Sequence, residues 1–173
     1  GSFTTIRIRG AEGNHTLVLI DGIEVNDPSG GSEFDFGSLR AIDIKRIEVL
    51  RGPQSALYGS DAIGGVVNII TKRGDGPTTA HLHLESGSFR TGLMSANIRG
   101  GGNNIHYSLG VSGFTTDGIS IAPKSEGNRE TDGNENGTVN LKFGFTPIDN
   151  LELNFNGRYV NDTTDSDTQP AVA

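Results

Sequence analysis

The chain has no cysteine and no tryptophan, one methionine and six prolines among its 173 residues. Without cysteine there is no disulfide framework, no thiolate-held zinc or iron–sulfur site and no thiol nucleophile. Long hydrophobic runs are also lacking. The longest purely apolar ones are as short as Leu17-Val-Leu-Ile20, far below the roughly 20 residues of a membrane helix. A helical membrane protein is thereby excluded. A β-barrel is not, because its strands need only about 9–11 alternating residues. Positive charge is scarce: 14 Lys and Arg stand against 21 Asp and Glu, a net charge of −7. That argues against a nucleic-acid binder, which needs a basic face for phosphates. Glycine, by contrast, is abundant. Its 26 residues are about twice the usual share of roughly 7%.

The arrangement of apolar residues changes near Gly74-Asp-Gly-Pro77. Before that point the apolar runs are short and nearly continuous, as in Leu17-Val-Leu-Ile20 and Val66-Val-Asn-Ile-Ile70. Such runs suit strands covered on both faces, or short helix–strand units. Asp21-Gly22 between two of them is a two-residue hairpin signal, since both turn positions favour positive φ. Pro53 is suited to the first turn of a short helix over 53–58. The order strand (44–51), helix, strand (66–71) permits a parallel or mixed sheet. After Gly76 the pattern becomes strict alternation. Ile105, Tyr107, Leu109 and Val111 alternate with polar or small residues, as do Val139, Leu141, Phe143 and Phe145, and then Leu151, Leu153, Phe155 and Tyr159. Residues two apart share a strand face, so each of these strands has one apolar and one polar face. Turns are expected at 87–90, 99–104 and 146–150. A long polar loop is expected over about 116–136, and a second beginning at Asn161. This pattern fits an outer-membrane barrel wall and equally a soluble antiparallel sheet with one wet face.

No enzyme constellation is present. Gly59-Ser-Asp-Ala-Ile-Gly-Gly65 has the glycine spacing of a phosphate loop but not its Lys and Ser/Thr. His81 and His83 share a strand face without a third ligand nearby. Asp132-Gly-Asn-Glu-Asn-Gly137 begins like a calcium loop, but the twelfth position is Phe143 and not Glu. No nucleophile–base pair of an esterase is found.

Three segments carry a resemblance: Ile6-Arg-Ile-Arg-Gly10, Leu17-Val-Leu-Ile-Asp-Gly-Ile-Glu-Val-Asn26, and Ile47-Glu-Val-Leu-Arg-Gly-Pro-Gln-Ser-Ala-Leu-Tyr-Gly-Ser-Asp-Ala-Ile-Gly-Gly-Val-Val-Asn-Ile-Ile-Thr-Lys72. Together they resemble the plug domain of TonB-dependent outer-membrane receptors, closest in style to those for cobalamin and siderophores. The resemblance implies an α+β plug (a mixed sheet with short helices) over residues 1–76. Residues 77–173 would then be the first five or so antiparallel β-strands of an incomplete outer-membrane β-barrel. It also implies a receptor, not an enzyme, that imports a scarce nutrient complex (ferric siderophore, haem or cobalamin) by remodelling the plug. Its partners would be TonB, a metal chelate or cobalamin-like ligand, and outer-membrane lipid. Gly1-Ser-Phe3 has neither the basic nor the apolar region of a signal peptide, so a signal peptide, TonB box and early plug are expected to precede this stretch. The outward loops of such plugs touch the ligand. That role falls here on Asp27, Ser29, Ser32 and Glu33 in one segment, and on Ser60 and Asp61 in another. Arg9 and Arg51 occupy the family's Arg-Gly motifs, where plug arginines pair with barrel carboxylates as an ionic lock, with Glu85 and Glu152 as candidate partners. No resident cofactor is implied. Calcium bridging Asp117, Asp132 and Glu135 in an outer loop is the one metal role to be considered. The competing reading is a soluble β-rich adhesion or carbohydrate-binding module.

Overall fold

The computed structural model describes residues 3–119 and 132–164. It divides into two compact units, Phe3–Lys72 and the chain from Arg73 onward. Residues 120–131 of the expected polar loop and the tail beyond 164 lie outside the described residues.

In the first unit, β1 (Thr16–Ile20), β2 (Ile23–Glu24), β3 (Ile44–Arg51) and β4 (Gly65–Thr71) form one sheet in the order β2-β1-β4-β3. β1 and β4 run parallel, while β2 and β3 pair antiparallel at the two edges. The sheet is thus mixed. The continuous apolar runs of β1 and β4 fold this way because both faces are covered. On one face Val18, Ile20, Val67 and Ile69 pack with Ile8 and the half-buried Val25, Phe34, Phe36, Leu39 and Ile44. On the other, Leu17, Leu19 and Val66 pack with Ala62 and Leu50. Each such buried side chain contributes about 1.5–3 kcal/mol.

The Asp21-Gly22 turn has positive φ at both residues, 53° and 83°, as a two-residue hairpin requires. The Asp21 carboxylate also reaches β4, accepting from the Thr71 N–H at 2.9 Å and from its hydroxyl at 2.7 Å. Two details differ from the sequence reading. The helix α1 spans only Ser55–Tyr58. Gln54, at φ −119° and ψ 13°, is not helical and serves as its cap, so Pro53 lies outside the first turn. β3 is an edge strand that leaves Ile47 and Val49 exposed, not covered on both faces. The Gly59–Gly65 segment is a structural turn. At Gly65, φ is 154°, and the Leu50 carbonyl oxygen occupies the space a Cβ would need, so only glycine lets β3 and β4 pair there.

The second unit is a meander in chain order: β5 (Thr79–Gly87), β6 (Thr91–Gly101), β7 (Ile105–Thr116), β8 (Asn134–Ile148) and β9 (Leu151–Thr164). All neighbours are antiparallel. Register aligns the alternating apolar residues across strands. Val111 faces Val139, which faces Tyr159; Tyr107 faces Phe143, which faces Phe155; Ile105 faces Phe145, which faces Leu153. This apolar face is the exposed one, with Phe155 at 59% and Leu153 at 54%. The opposite face buries Ser95, His106, Ser108, Asn136 and Thr138. A soluble sheet with one wet face would bury its apolar side. Here the sidedness is inverted, as in a barrel wall that turns its apolar band to lipid.

The strands are longer than their apolar alternation suggests. Asn134, Glu135 and Asn136 belong to β8 and Asn161–Thr164 belong to β9, although all were expected in loops. Polar pairing extends the ladder: Asn134 faces Thr164, Glu135 faces Thr163, and the Asn136 amide donates to Asp162 at 2.6 Å. The turn between β8 and β9 shrinks correspondingly to Asp149 and Asn150.

Candidate functional site

The site assembles at one end of the first unit's sheet, where β1 begins. Because β2 has only two residues, the edge of β1 beyond it lacks a strand partner. Asn26 takes that place with its side chain. Its Oδ1 accepts from the Val18 N–H at 2.7 Å, and its Nδ2 donates to the Thr16 carbonyl at 3.1 Å and to the Ser32 carbonyl at 2.8 Å. Asn26 is buried. One residue therefore closes the sheet edge and holds the loop that follows it.

That loop folds on itself. The Asp27 carboxylate accepts from the Ser29 N–H at 2.8 Å and from the Ser29 hydroxyl at 2.7 Å, a local turn. These bonds hold the Asp27 carboxyl below the usual carboxylate range, the Ser29 hydroxyl contributing most. Asp27 and Glu33 bridge through their backbones, the Asp27 N–H donating to the Glu33 carbonyl at 3.0 Å. Ser32 sits at φ 61° beside Gly31 at 79°. The Glu33 carboxylate rests over Gly13, filling the space a Cβ would take there.

The second predicted segment reaches the same end. Gly65, at the start of β4, pairs with Thr16, at the start of β1, and the Gly64 N–H donates to the His15 carbonyl at 2.8 Å. Ser60 and Asp61 lie on the 3-10 turn Ser60–Ala62 just before this point, the Ser60 hydroxyl donating to Asp61 at 2.9 Å. Asp27, Ser29 and Ser60 are exposed, while Ser32, Glu33 and Asp61 are half-buried. All six predicted residues thus lie on loops at one end of the sheet, as acceptors and donors on a rigid base.

Arg9 and Arg51 belong to this end as well. Arg9 (φ 52°) and Gly10 (φ 79°) form a tight turn closed by the Ala11 N–H on the Ile8 carbonyl at 3.0 Å. The Arg9 guanidinium lies beside Gly52, next in sequence to Arg51. Both arginines are exposed, and within the described part of the first unit neither is in an ion pair. Of the carboxylates proposed for them, Glu152 is held by Arg73 at 3.0 Å and Glu85 stands 3.4 Å from His83. His83 is thereby placed with a carboxylate of its own strand. In the second unit Asp117 pairs closely with Arg90, Asp132 is buried and Glu135 lies on β8. Among the described residues no group of three or more His, Asp or Glu side chains is placed to hold a metal ion.

Two residues that sequence pattern did not single out emerge from this geometry. Asn26 was visible only as the start of a polar segment, because its role depends on how early β2 ends. Arg73 was part of the linker, and its partners His106 and Glu152 lie far away in sequence.

Comparison with known proteins agrees with the architecture. Residues 1–66 match the family described as TonB-dependent Receptor Plug Domain. The chain is 34% identical over 168 residues to the Vitamin B12 transporter BtuB of Photobacterium profundum, a match covering 96% of this chain and 27% of that protein. Among solved structures it is similar to the siderophore receptor PirA of Acinetobacter baumannii, with 26% identity and a TM-score of 0.73 over 91% of this chain and 25% of that one. It is also similar to the ferric enterobactin receptor PfeA of Pseudomonas aeruginosa in complex with enterobactin, with 25% identity and a TM-score of 0.72 over 91% and 27%. The chain spans about a quarter of the length of these relatives. They are transporters and receptors rather than enzymes, and none is a soluble adhesion module. With a plug-type mixed sheet followed by an inside-out antiparallel wall, the chain belongs to the TonB-dependent receptors of the outer membrane.

Proposed function

We propose that the receptor containing this chain captures a scarce metal-chelate nutrient, cobalamin or a ferric siderophore, at its outer face and imports it by remodelling the plug, with energy supplied through TonB. The observation that carries this reading is the gathering of the loop after Asn26 and the Ser60–Ala62 turn at one end of the mixed sheet. Flexible loops would lose ordering entropy on binding. Here Asn26, the Asp27–Ser29 turn and the β1–β4 pairing have already fixed the backbone, which favours affinity for a large, rigid ligand. The match to a vitamin B12 transporter over nearly the whole chain supports cobalamin as the first ligand to test. The likeness to siderophore receptors supports a ferric chelate as the second.

In this reading Arg9 and Arg51 hold the resting plug through carboxylates of the barrel wall, and the pairs break on activation. A single charge reversal, Arg51→Glu, that left transport unchanged would remove the lock from the mechanism.

The test uses the full receptor in cells. Radiolabelled cyanocobalamin and ferric enterobactin are offered separately, and Asp27→Ala, Ser29→Ala and Asp61→Ala variants are compared with the unchanged protein. A lost hydrogen bond to ligand is worth about 0.5–1.5 kcal/mol, and about 1.5–3 when one partner is charged. Affinity for the true ligand should therefore fall from a few-fold to about a hundredfold. Binding of both probes with none of the substitutions mattering would place the contact elsewhere. Binding of neither would overturn the ligand class.

A further inference from the structure

The chain that leaves the first unit does not pass directly into β5. Arg73 to Thr78 lies along the second unit at the end where β6 turns into β7, and it is held there at three points. The first is Arg73. Its Nη2 donates to Nδ1 of His106 at 2.7 Å and to Glu152 at 3.0 Å, while its Nε stands 3.8 Å from Asp75. Arginine can only donate, so this contact fixes His106 with Nδ1 as the acceptor. His106 is itself clamped: it is buried, and its ring occupies the space above Gly144 that any Cβ would need. The second point is Gly74, pressed so closely on the backbone of Gly100 and Tyr107 that no side chain could be added. The third is Gly76, whose carbonyl accepts from the Gly101 N–H at 2.8 Å. Arg73 thus joins three separate segments: its own linker, β7 through His106 and the start of β9 through Glu152.

We propose that Arg73 is a positioning residue that moors the linker to the barrel wall, so that a pull on the plug ends at residue 72 and is not passed into β5. The inference rests on the reading that the plug is drawn and remodelled during import. An arginine bonded to residues on two strands is suited to the task. Its load is spread over β7 and β9, whereas without it the pull would fall on the single Gly76–Gly101 backbone bond, just ahead of the first β5–β6 pair, Thr79 with Arg99. The mooring also fixes the length of chain that the plug can release.

Single-molecule pulling on the purified full-length receptor in a lipid bilayer, from the N-terminal side of the plug, reads that length directly. The force is applied mechanically, so the result is independent of which nutrient the receptor carries and of whether TonB energises it. In the unchanged protein the extension should stop at Lys72. In Arg73→Ala the first hydrogen-bonded hold becomes Gly76. Three more residues are freed, and at about 3.3–3.6 Å each the extension grows by roughly 10 Å, with the earlier rupture events unchanged. Should Arg73→Ala fail to fold, His106→Ala combined with Glu152→Ala removes both partners and should give the same lengthening. An extension that stops at the same length in the variant that folds would overturn the proposal.

Discussion

Replacing Asn26 by alanine tests how the candidate loop is held. The substitution removes three hydrogen bonds, to the Val18 N–H and to the Thr16 and Ser32 carbonyls. Each contributes about 0.5–1.5 kcal/mol net, and a buried donor left without a partner costs about 1–3 kcal/mol. The Val18 N–H is such a donor, since Val18 is 1% exposed. With the Val18 N–H counted once as the unpaired donor and the two carbonyl bonds added, the sum is about 2–6 kcal/mol. A unit of this size has roughly 0.05–0.15 kcal/mol of stability per residue, so the loss is a large fraction of the total without being certain to unfold it. Amide hydrogen exchange in the full receptor is the assay. At 1.4 kcal/mol per decade, the Val18 amide should exchange at least about thirtyfold faster in Asn26→Ala. Asn26→Asp separates the two halves of the effect. It keeps an acceptor for Val18 and loses both donors, so Val18 should stay protected while Asp27 and Ser32 amides in the loop open. An unchanged Val18 rate in Asn26→Ala would refute the claim that this side chain completes the edge of β1.

Three further outcomes follow from the same structure. Asp21→Ala removes two charge-assisted bonds to Thr71 and should cost about 3–6 kcal/mol. Asp21→Asn, which tolerates the turn and keeps one acceptor, should cost less, and exchange of the Thr71 amide reports both. The depressed Asp27 carboxyl makes its contribution to loop order complete above the unfolded value of about 3.9. That contribution is lost as pH falls through the lower folded value, so the loop should loosen only in acid below about 4. A carboxyl NMR titration should place the midpoint below that of a free aspartate, and Ser29→Ala should move it upward. Gly144→Ala should expel the His106 ring at a cost of about 1–3 kcal/mol. Adding His106→Ala should recover part of that stability in a denaturation series, a non-additivity expected only of residues in contact.

Much of the fold was legible because the chemistry is local. Asp21-Gly22 announced its turn through the positive φ that both positions tolerate. The alternation from Ile105 to Tyr159 announced which residues share a face, and register then aligned them. The strand ends were not legible. Asn134 and Thr164 have polar side chains, and only their cross-strand pairing shows that β8 and β9 continue through them. The start of α1 was misplaced for a related reason. Proline is compatible with the first helical turn, but compatibility does not force it, and the Gly52 N–H is already committed to the Gly64 carbonyl at 3.1 Å. For the site, position in a known pattern named loops that the fold brings to one end of the sheet. It could not find Asn26 or Arg73, whose roles depend on distant partners that no local periodicity encodes.

The parallel pairing of β1 with β4 also bears on the order in which the chain acquires structure. Thr16 pairs with Gly65, a closure of roughly fifty residues, and each doubling of a loop adds about 0.6 kcal/mol of entropic cost before any contact rewards it. The β1–β2 hairpin closes over two residues, and the meander from β5 to β9 is built entirely of consecutive neighbours. Hairpins of that kind form in about 1–10 μs, while topologies rich in distant pairings are slow. β4 lies between β1 and β3, so the β1–β2 hairpin and β3 are not joined into one sheet until the last strand of that unit arrives. A nascent receptor would therefore carry zipped barrel hairpins alongside a plug whose central strand is the last to dock. Until then the apolar face of β1 that β4 and its covering residues will bury stays exposed.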